Sequence, residues 1–487
     1  MRRGMEIRDR EIPCPLREKA LETPHAPAIV EAGGIMAYAE LDARVSSTAR
    51  LLREAGYETG SRVAIHLTTD ARYVVLLLAL LRIGTIACPI SQRLPVRAVS
   101  SLARRIGCHG LISEDRRLAD AINPDDLVVE PGFRKSEEER SDRLWIPLDR
   151  AATVVATSGS SGRPKAALHT FGNHYYSALG SGTNITLSGG DRWLLSLPLY
   201  HVGGLSILFR CLLAGAAVVI PEPAARTGHS IATLNVTHVS LVATQLRRLL
   251  DERVNLGDLK TILLGGGPVP DSLVEAAVAR NLPVHTSYGL TEMASQVTTT
   301  PPGVHPDKLK TAGKVLPNRE VSISEYGEIL VRGDTLFAGY VEGGGLDLPT
   351  DQEGWFHTGD LGALDPQGYL QVLGRKDNLF VSGGENIQPE EIEEALTRLP
   401  GVEKAVVAPV PDAEFGERPV AFVLAAYDSP AFGDLASKLE ETLPRFKIPI
   451  AVHDWPKDVD PERAKVDRPF FKDLARGIHK REMREGI

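Results

Sequence analysis

RVAIHLTTDARYVVLLLALLRIGTIACPI, residues 62–90, decides the fold class. It opens on a short apolar run, Arg62 to Leu67, continues into an aliphatic stretch from Val74 to Leu81, and closes on a second short run, Thr85 to Ile90. Short runs that are apolar at consecutive positions read as strands buried on both faces, and the stretch between them as a helix. Strand, helix, strand is the parallel βαβ unit, so this region is predicted to form a doubly wound α/β sheet. The run from Val74 to Leu81 is eight residues, too short to cross a bilayer.

The same grammar extends outward. Upstream, YAELDARVSSTARLLREAG places Leu41, Val45, Ala49, Leu51 and Leu52 at helical spacing and stops at Gly56. Downstream come WLLSLPLYH, the helical GLSILFRCLLAG, AAVVIPE, HVSLVATQLRRLLDE and TILLGGGPVP, again short apolar runs punctuated by Gly or Pro. Beyond Ala312 the texture changes to alternating runs such as EVSISEYGEILVRG and GYLQVLGR, which predict antiparallel hairpins of a small unit. After Gly374 follow a helix in EEIEEALTRLPGV, strands in VEKAVVAPV and ERPVAFVLAAY, and a helix in SKLEETLPRFKIP. The expectation is an N-terminal domain, 1–374, of two doubly wound sheets plus a small β-barrel-like unit. A hinge at 375–377 then leads to a small mobile α+β domain, 378–487.

With 487 residues, 43% hydrophobic and 24% charged, the chain has the composition of an ordinary globular protein. Its net charge of −8 argues against a general nucleic-acid binder but leaves room for a local phosphate site. Cysteines 14, 88, 108 and 211 are scattered, with neither zinc-ligand pairing nor disulfide density, so a reducing, cytoplasmic compartment is expected. The opening MRRGMEIRDREIPC is charged throughout and lacks the apolar core of a signal peptide. KSEEERSDR, residues 135–143, reads as a solvated loop.

The stretch TSGSSGRPK, Thr157 to Lys165, carries four hydroxyl residues, two glycines and a lysine in nine positions. Gly159 and Gly162 let the backbone approach an anion, Thr157, Ser158, Ser160 and Ser161 donate hydrogen bonds, and Lys165 supplies charge. Pro164 removes an N–H donor and the glycine spacing is wrong for a Walker loop, so the alternatives are another kind of phosphate loop or a flexible linker. Strand-like residues Ala152 to Ala156 just before it favour a loop anchored on a sheet. Gly265, Gly266 and Gly267 follow the strand-like TILL, at a carboxyl end where open α/β sheets place ligands, although a plain turn reads equally well.

Five motifs in order make the resemblance specific: TSGSSGRPK, Tyr288-Gly289-Leu290-Thr291-Glu292, His357-Thr-Gly-Asp360, Gly374-Arg375-Lys376-Asp377 and Ser382-Gly383-Gly384-Glu-Asn386, with a lone Lys465 near the C-terminus. Over nearly its whole length the chain resembles the adenylate-forming superfamily of acyl-CoA synthetases, luciferases and peptide-synthetase adenylation domains. The resemblance implies ATP, Mg²⁺ and CoA as partners. Glu292 would hold the Mg²⁺ that bridges it to phosphate, Thr291 would meet the α-phosphate, and Tyr288, with Gly289 beside it, would offer a face to adenine. Asp360 would take the ribose hydroxyls, with Arg375 as its companion. Lys465 would be the adenylation lysine, Lys472 being the competing register, and Asp377 with Ser382, Gly383 and Gly384 would serve the hinge and CoA. Taken alone, Glu292, Asp360 and Lys465 read as a surface carboxylate, a turn former and a solvated lysine.

LLSLPLYHVGG, the loop's Ala166, DNLFVSGGENIQPEEIE and PVPDAEFGERPVAF resemble, within that superfamily, the o-succinylbenzoate:CoA ligases of the menaquinone pathway. Such an acid carries two carboxylates, so a cation is expected for the one not activated. Arg210, in the otherwise apolar SILFRCLLAG, is the candidate, with snorkelling to solvent as its alternative. His201 is expected as a catalytic or pocket-wall residue, with a satisfied core histidine as the alternative. The rivals are a ligase for another aryl, medium-chain or dicarboxylic acid, a carrier-protein ligase, and a non-enzymatic nucleotide sensor. A homo-oligomer is left open.

Overall fold

The computed structural model describes residues 10–115, 117–118, 144–157, 165–223, 225–252, 254–342, 345–425, 432–461 and 466–485. Among these residues, two large sheets form the first body of the chain. The nine-stranded sheet runs Lys314–Val315, Ser295–Thr299, Val284–Leu290, Thr261–Leu264, His238–Leu241, Arg192–Leu194, Ala217–Val219, Pro27–Glu31, Gly34–Ala37. From Val284–Leu290 to Pro27–Glu31 its neighbours are parallel, and antiparallel strands close both edges. The seven-stranded sheet contains the opening βαβ unit: Arg62–His66 lies between Ile86–Pro89 and Gly110–Ser113, all parallel, with helix Ala71–Ile83 crossing over.

The residues account for these elements. Asp70 caps the crossover helix by accepting from the Tyr73 amide, and Gly84 ends it at φ 83°, in the left-handed region. Every residue of that helix except Arg72 is buried, which is why its sequence is apolar without helical periodicity. It packs in the central core with the Tyr38–Glu54 helix, where Leu41, Val45, Ala49 and Leu52 are buried and Leu51 faces outward. The expected inward placement of Leu51 is therefore corrected; it lies ten residues, about 1000°, beyond Leu41 on the helix wheel. No helix among the described residues is long and apolar enough to cross a membrane.

Four antiparallel strands, Arg319–Ile323, Glu328–Gly333, Phe356–Leu364 and Leu370–Arg375, make the third unit. Its last strand reaches back to the large sheet: Leu370 exchanges backbone bonds with Ala312 and Gly313, and Tyr369 bridges Lys314. The unit thus curls into the expected barrel-like form. A separate five-stranded sheet follows, built on the long pair Val402–Asp412 and Gly416–Ala425 and covered by helices Pro389–Thr397 and Arg468–Glu485. The helix expected in SKLEETLPRFKIP instead spans Phe432–Glu440, ending before Pro444, with a 3₁₀ turn at Arg445–Lys447. Pro444 offers no amide to continue it.

Candidate active site

Strands Ala151–Thr157 and Lys165–Thr170 pair antiparallel, with Thr157 directly opposite Lys165. The loop between them carries Ser158, Gly159, Ser160, Ser161 and Gly162; these residues lie outside the described ones, as does Lys465. The loop's base is nevertheless fixed by the ladder. Ala166 faces Ala156 and is buried in the core of this sheet, where its methyl packs with Val154 and Leu168.

Lys165 leads to the first polar array. Its Nζ sits 4.7 Å from the centre of the Tyr340 ring, and Tyr340 Oη donates to Glu292 Oε1 at 2.6 Å. Burial, and after it the charge of Glu292, raises the Tyr340 pKa, so the phenol remains a donor. The strand Gly339–Glu342 pairs with Lys165–Thr170, and Tyr340 stands opposite Ala167, one pleat from Lys165 on the same face. Thr291 and Glu292 occupy the 3₁₀ turn Thr291–Met293, which is pinned from two sides. His169 Nε2 lies 2.7 Å from the Thr291 carbonyl, so Nε2 carries the proton, and the Phe337 amide donates to the Glu292 carbonyl at 2.8 Å. Burial lowers the pKa of His169 to about 4, keeping the ring neutral. Glu292 Oε2 has no hydrogen-bond partner among the described residues. A carboxylate with one oxygen fixed and one available suits a Mg²⁺ shared with phosphate.

Four residues back along the chain a second array begins. Tyr288 Oη donates to Asp360 Oδ2 at 2.6 Å, and Arg375 Nη1 donates to Asp360 Oδ1 at 2.9 Å and to the Thr358 carbonyl at 2.8 Å. Asp360 and Arg375 are cross-strand partners in the barrel-like unit, so their meeting follows from register. Burial opposes the Arg375 charge, but Asp360 outweighs it and raises the pKa. Tyr288 is 9% exposed and its ring belongs to a core cluster with Met293, Val297 and Phe337. Its hydroxyl orients Asp360, and little of the expected flat face is open. Glu328 anchors the Asp360 turn, its Oε1 accepting from the Gly359 amide at 2.9 Å.

The glycines of these motifs differ in role. A Cβ on Gly289 would lie 2.1 Å from the Ser295 carbonyl oxygen, so Gly289 allows the bulge by which Ser295–Thr299 closes on Val284–Leu290. Gly265 donates its amide to the Leu241 carbonyl and turns the chain out of Thr261–Leu264, with Gly266 and Gly267 exposed beyond it. The turn therefore sits at the carboxyl edge of the nine-stranded sheet, beside Ser287.

His201 is the exposed residue at the start of helix Val202–Ala214, edge-on to Tyr200 at 4.7 Å. Arg210, on the same helix, is 4% exposed, so snorkelling is excluded. Its Nη2 donates to Gln296 Oε1 at 2.6 Å, its guanidinium lies 5.1 Å from the Trp193 ring centre, and its Nε is buried without a partner among the described residues. In the C-terminal body, Asp377 lies 3.5 Å from Arg375 Nη2 in the turn Lys376–Asn378, and Ser382, Gly383 and Gly384 form the hairpin turn between Phe380–Ser382 and Glu385–Ile387. Lys472 is exposed on helix Arg468–Glu485, which starts three residues after Lys465.

The structure thus gathers Lys165, Thr291 and Glu292 in one array and Tyr288, Asp360 and Arg375 in another, while His201 and Arg210 stand on a separate helix. Tyr340, His169 and Glu328, which complete these arrays, lie outside the sequence motifs. His169 lies within KAALHT beside the signature loop, a signal that could have marked it; Tyr340 and Glu328 reach the site from distant hairpins and carry no local mark.

Several known proteins are similar to this chain over most of its length. Relatives include a 2-succinylbenzoate–CoA ligase of Bacillus velezensis, 36% identical over 456 residues, covering 91% of this chain and 93% of that one. The Oceanobacillus iheyensis 2-succinylbenzoate–CoA ligase is 33% identical and covers 90% and 94%. Among solved structures, o-succinylbenzoate CoA synthetase (MenE) from Bacillus subtilis in complex with the acyl-adenylate intermediate OSB-AMP superposes with a TM-score of 0.85 at 33% identity, covering 95% and 98%. The same enzyme in complex with ATP and magnesium ion gives 0.84 at 33%, covering 94% and 99%. Residues 16–341 match the AMP-binding enzyme family and residues 391–459 its C-terminal domain, so the chain belongs to the AMP-binding enzymes.

Proposed function

We propose that this chain is an ATP-dependent acid:CoA ligase that works through an acyl-adenylate and converts o-succinylbenzoate to its CoA thioester, releasing AMP and pyrophosphate. The observation that carries this is the placement of the two polar arrays along one segment. Tyr288 ties Asp360 and Arg375 to its start and Glu292 ties Tyr340 and Lys165 to its end, as the ribose and phosphate ends of one nucleotide require.

In this reading Asp360 accepts from the ribose hydroxyls, Thr291 donates to the α-phosphate, and Lys165 with the signature loop holds the departing β and γ phosphates. Mg²⁺ on Glu292 supplies charge that draws the carboxylate and the phosphates together. The substrate carboxylate attacks the α-phosphorus, and Lys465 offsets the charge gathering on the reacting oxygens; positioning and electrostatics do most of the catalysis. A pivot about Asp377, within the 375–377 hinge, then presents the Ser382–Gly384 turn so that CoA thiolate can attack the activated carbonyl. Arg210 takes the carboxylate that is not activated, and its buried Nε, unpartnered among the described residues, supports that role. His201 forms part of the pocket entrance. All four cysteines are free, which fits the reducing cytoplasm.

The test is one assay: o-succinylbenzoate, ATP, Mg²⁺ and CoA, watched for thioester and pyrophosphate. Thioester from o-succinylbenzoate in preference to benzoate and medium-chain acids is the expected result. Pyrophosphate release with a carrier protein but none of the thioester with free CoA would overturn it.

A further inference from the structure

Behind Arg210 lies a second buried guanidinium that none of the motifs covers. Arg319, first residue of strand Arg319–Ile323, is 5% exposed. Its Nε donates to the Pro317 carbonyl at 3.0 Å and its Nη2 to the Tyr176 carbonyl at 3.2 Å, while Nη1 bonds the backbone oxygen of Gln296. A Cβ on Gly180 would lie 2.2 Å from Arg319 Nη2, so that position leaves the space the guanidinium fills. Gln296 is therefore held at both ends: Arg319 takes its main-chain oxygen, and its amide spans from Arg210 Nη2, at 2.6 Å, to Thr299 Oγ1, at 2.5 Å.

Neither arginine has a carboxylate in ion-pair range among the described residues. Burial lowers both pKa values, Arg210 to about 10 and Arg319, further depressed by Arg210, to about 9. Two neighbouring cations out of water with only neutral acceptors leave uncompensated charge, which is costly unless an anion completes the site. Arg319 has its donors on protein carbonyls, so the anion meets Arg210. What Arg319 contributes is a fixed second charge and the clamp that sets where Gln296 holds Arg210.

We propose that Arg319 is a specificity-determining positioning residue: acting through Gln296 and through its charge, it makes the Arg210 subsite demand an acid with a second anionic group. This rests on the reading of Arg210 as partner of the non-activated carboxylate.

The experiment compares o-succinylbenzoate with the two monoacids that each lack one of its carboxylates, 4-oxo-4-phenylbutanoate and 2-propanoylbenzoate, in the full-length enzyme. Arg319→Gln is expected to raise the KM for the diacid about tenfold or more, the scale of a charge attraction across several ångströms inside a protein. The KM for whichever monoacid is turned over should stay within about twofold, and kcat with it. Arg319→Lys, which keeps the charge but loses the fork, should fall between Arg319→Gln and the parent enzyme. Should Arg319→Gln not fold, Arg319→Lys carries the same test by itself, since losing the fork should raise the KM for the diacid and leave that for the monoacid. Equal KM changes for diacid and monoacid in either variant would overturn the proposal and leave Arg319 a packing residue. A parent enzyme with no preference for the diacid would instead overturn the reading of Arg210.

Discussion

Replacing Asp360 by Asn keeps the shape of the proposed ribose site and removes its charge. Asp360 spends both oxygens: Oδ1 accepts from Arg375 at 2.9 Å and Oδ2 from Tyr288 at 2.6 Å. An asparagine has one oxygen, so its NH₂ must face one of two donors, and one charge-assisted bond of about 1.5–3 kcal/mol is lost. Arg375 is 40% exposed at its side chain and can turn to water, so the stability cost is discounted to about 1–2 kcal/mol. For the nucleotide, an anionic acceptor becomes a neutral one for two hydroxyls, about 1 kcal/mol each, or roughly 30-fold in the KM for ATP. Pyrophosphate release measures it, with 2′-deoxy-ATP and 3′-deoxy-ATP closing a double-mutant cycle. The parent enzyme should be penalised by each missing hydroxyl, and Asp360→Asn should show most of that penalty gone. An undiminished deoxy penalty in the variant would refute the assignment of Asp360 to the ribose.

Lys465→Ala should abolish pyrophosphate formation while supplied acyl-adenylate and CoA still give thioester; equal loss of both half-reactions would point to Lys472 or to misfolding. Acidification should unfold the protein through its buried histidines. His169 sits near 4 when folded and 6.5 when unfolded, so its contribution, ~3 kcal/mol at most, is present above pH 6.5 and lost as pH falls from there toward 4. Burial also lowers His174, His238 and His285, so the urea midpoint should drop steeply between pH 7 and 5, and His169→Gln should flatten but not remove that slope. Glu393→Gln should destabilise the C-terminal body by about 1.5–3 kcal/mol, measured by denaturant unfolding, because Arg468, which bonds both Glu393 oxygens at 2.8 and 2.7 Å, would lose one of its two carboxylates and keep Glu390 at 3.1 Å. A loss below about 1 kcal/mol would mean the pair is solvated.

The parallel strands were legible in the sequence because burial on both faces leaves no room for polar residues, and Gly or Pro marks where each run ends. His238–Leu241 and Thr261–Leu264 are buried throughout and adjacent in register, as their apolar runs foretold. Leu51 was misplaced because an apolar residue one position off the helical stripe is indistinguishable by type from its neighbours. Glu292, Asp360 and Arg375 were readable as parts of motifs, whereas what holds them was not. Tyr340 is 48 residues from Glu292, and Arg319 is 143 residues from Tyr176; no periodicity links such positions. Tyr288 was readable as part of a motif, whereas the bond from its hydroxyl to Asp360, 72 residues away, was not.

The pairing of Thr157 with Lys165, and of Ala167 with Tyr340, has a consequence for how this site can vary. Side chains alternate along a strand, so what the ladder conserves is parity. The signature loop begins and ends on a closed rung, and residues can be added or removed within it without turning Lys165 away from Tyr340. One residue inserted in the strand ahead of Tyr340 would send its phenol through to the opposite side of the sheet and strip Glu292 of its donor. Descendants of this sequence are thus free to change the loop's length and its hydroxyls, while the distance from Lys165 to its aromatic neighbour is counted in whole pleats.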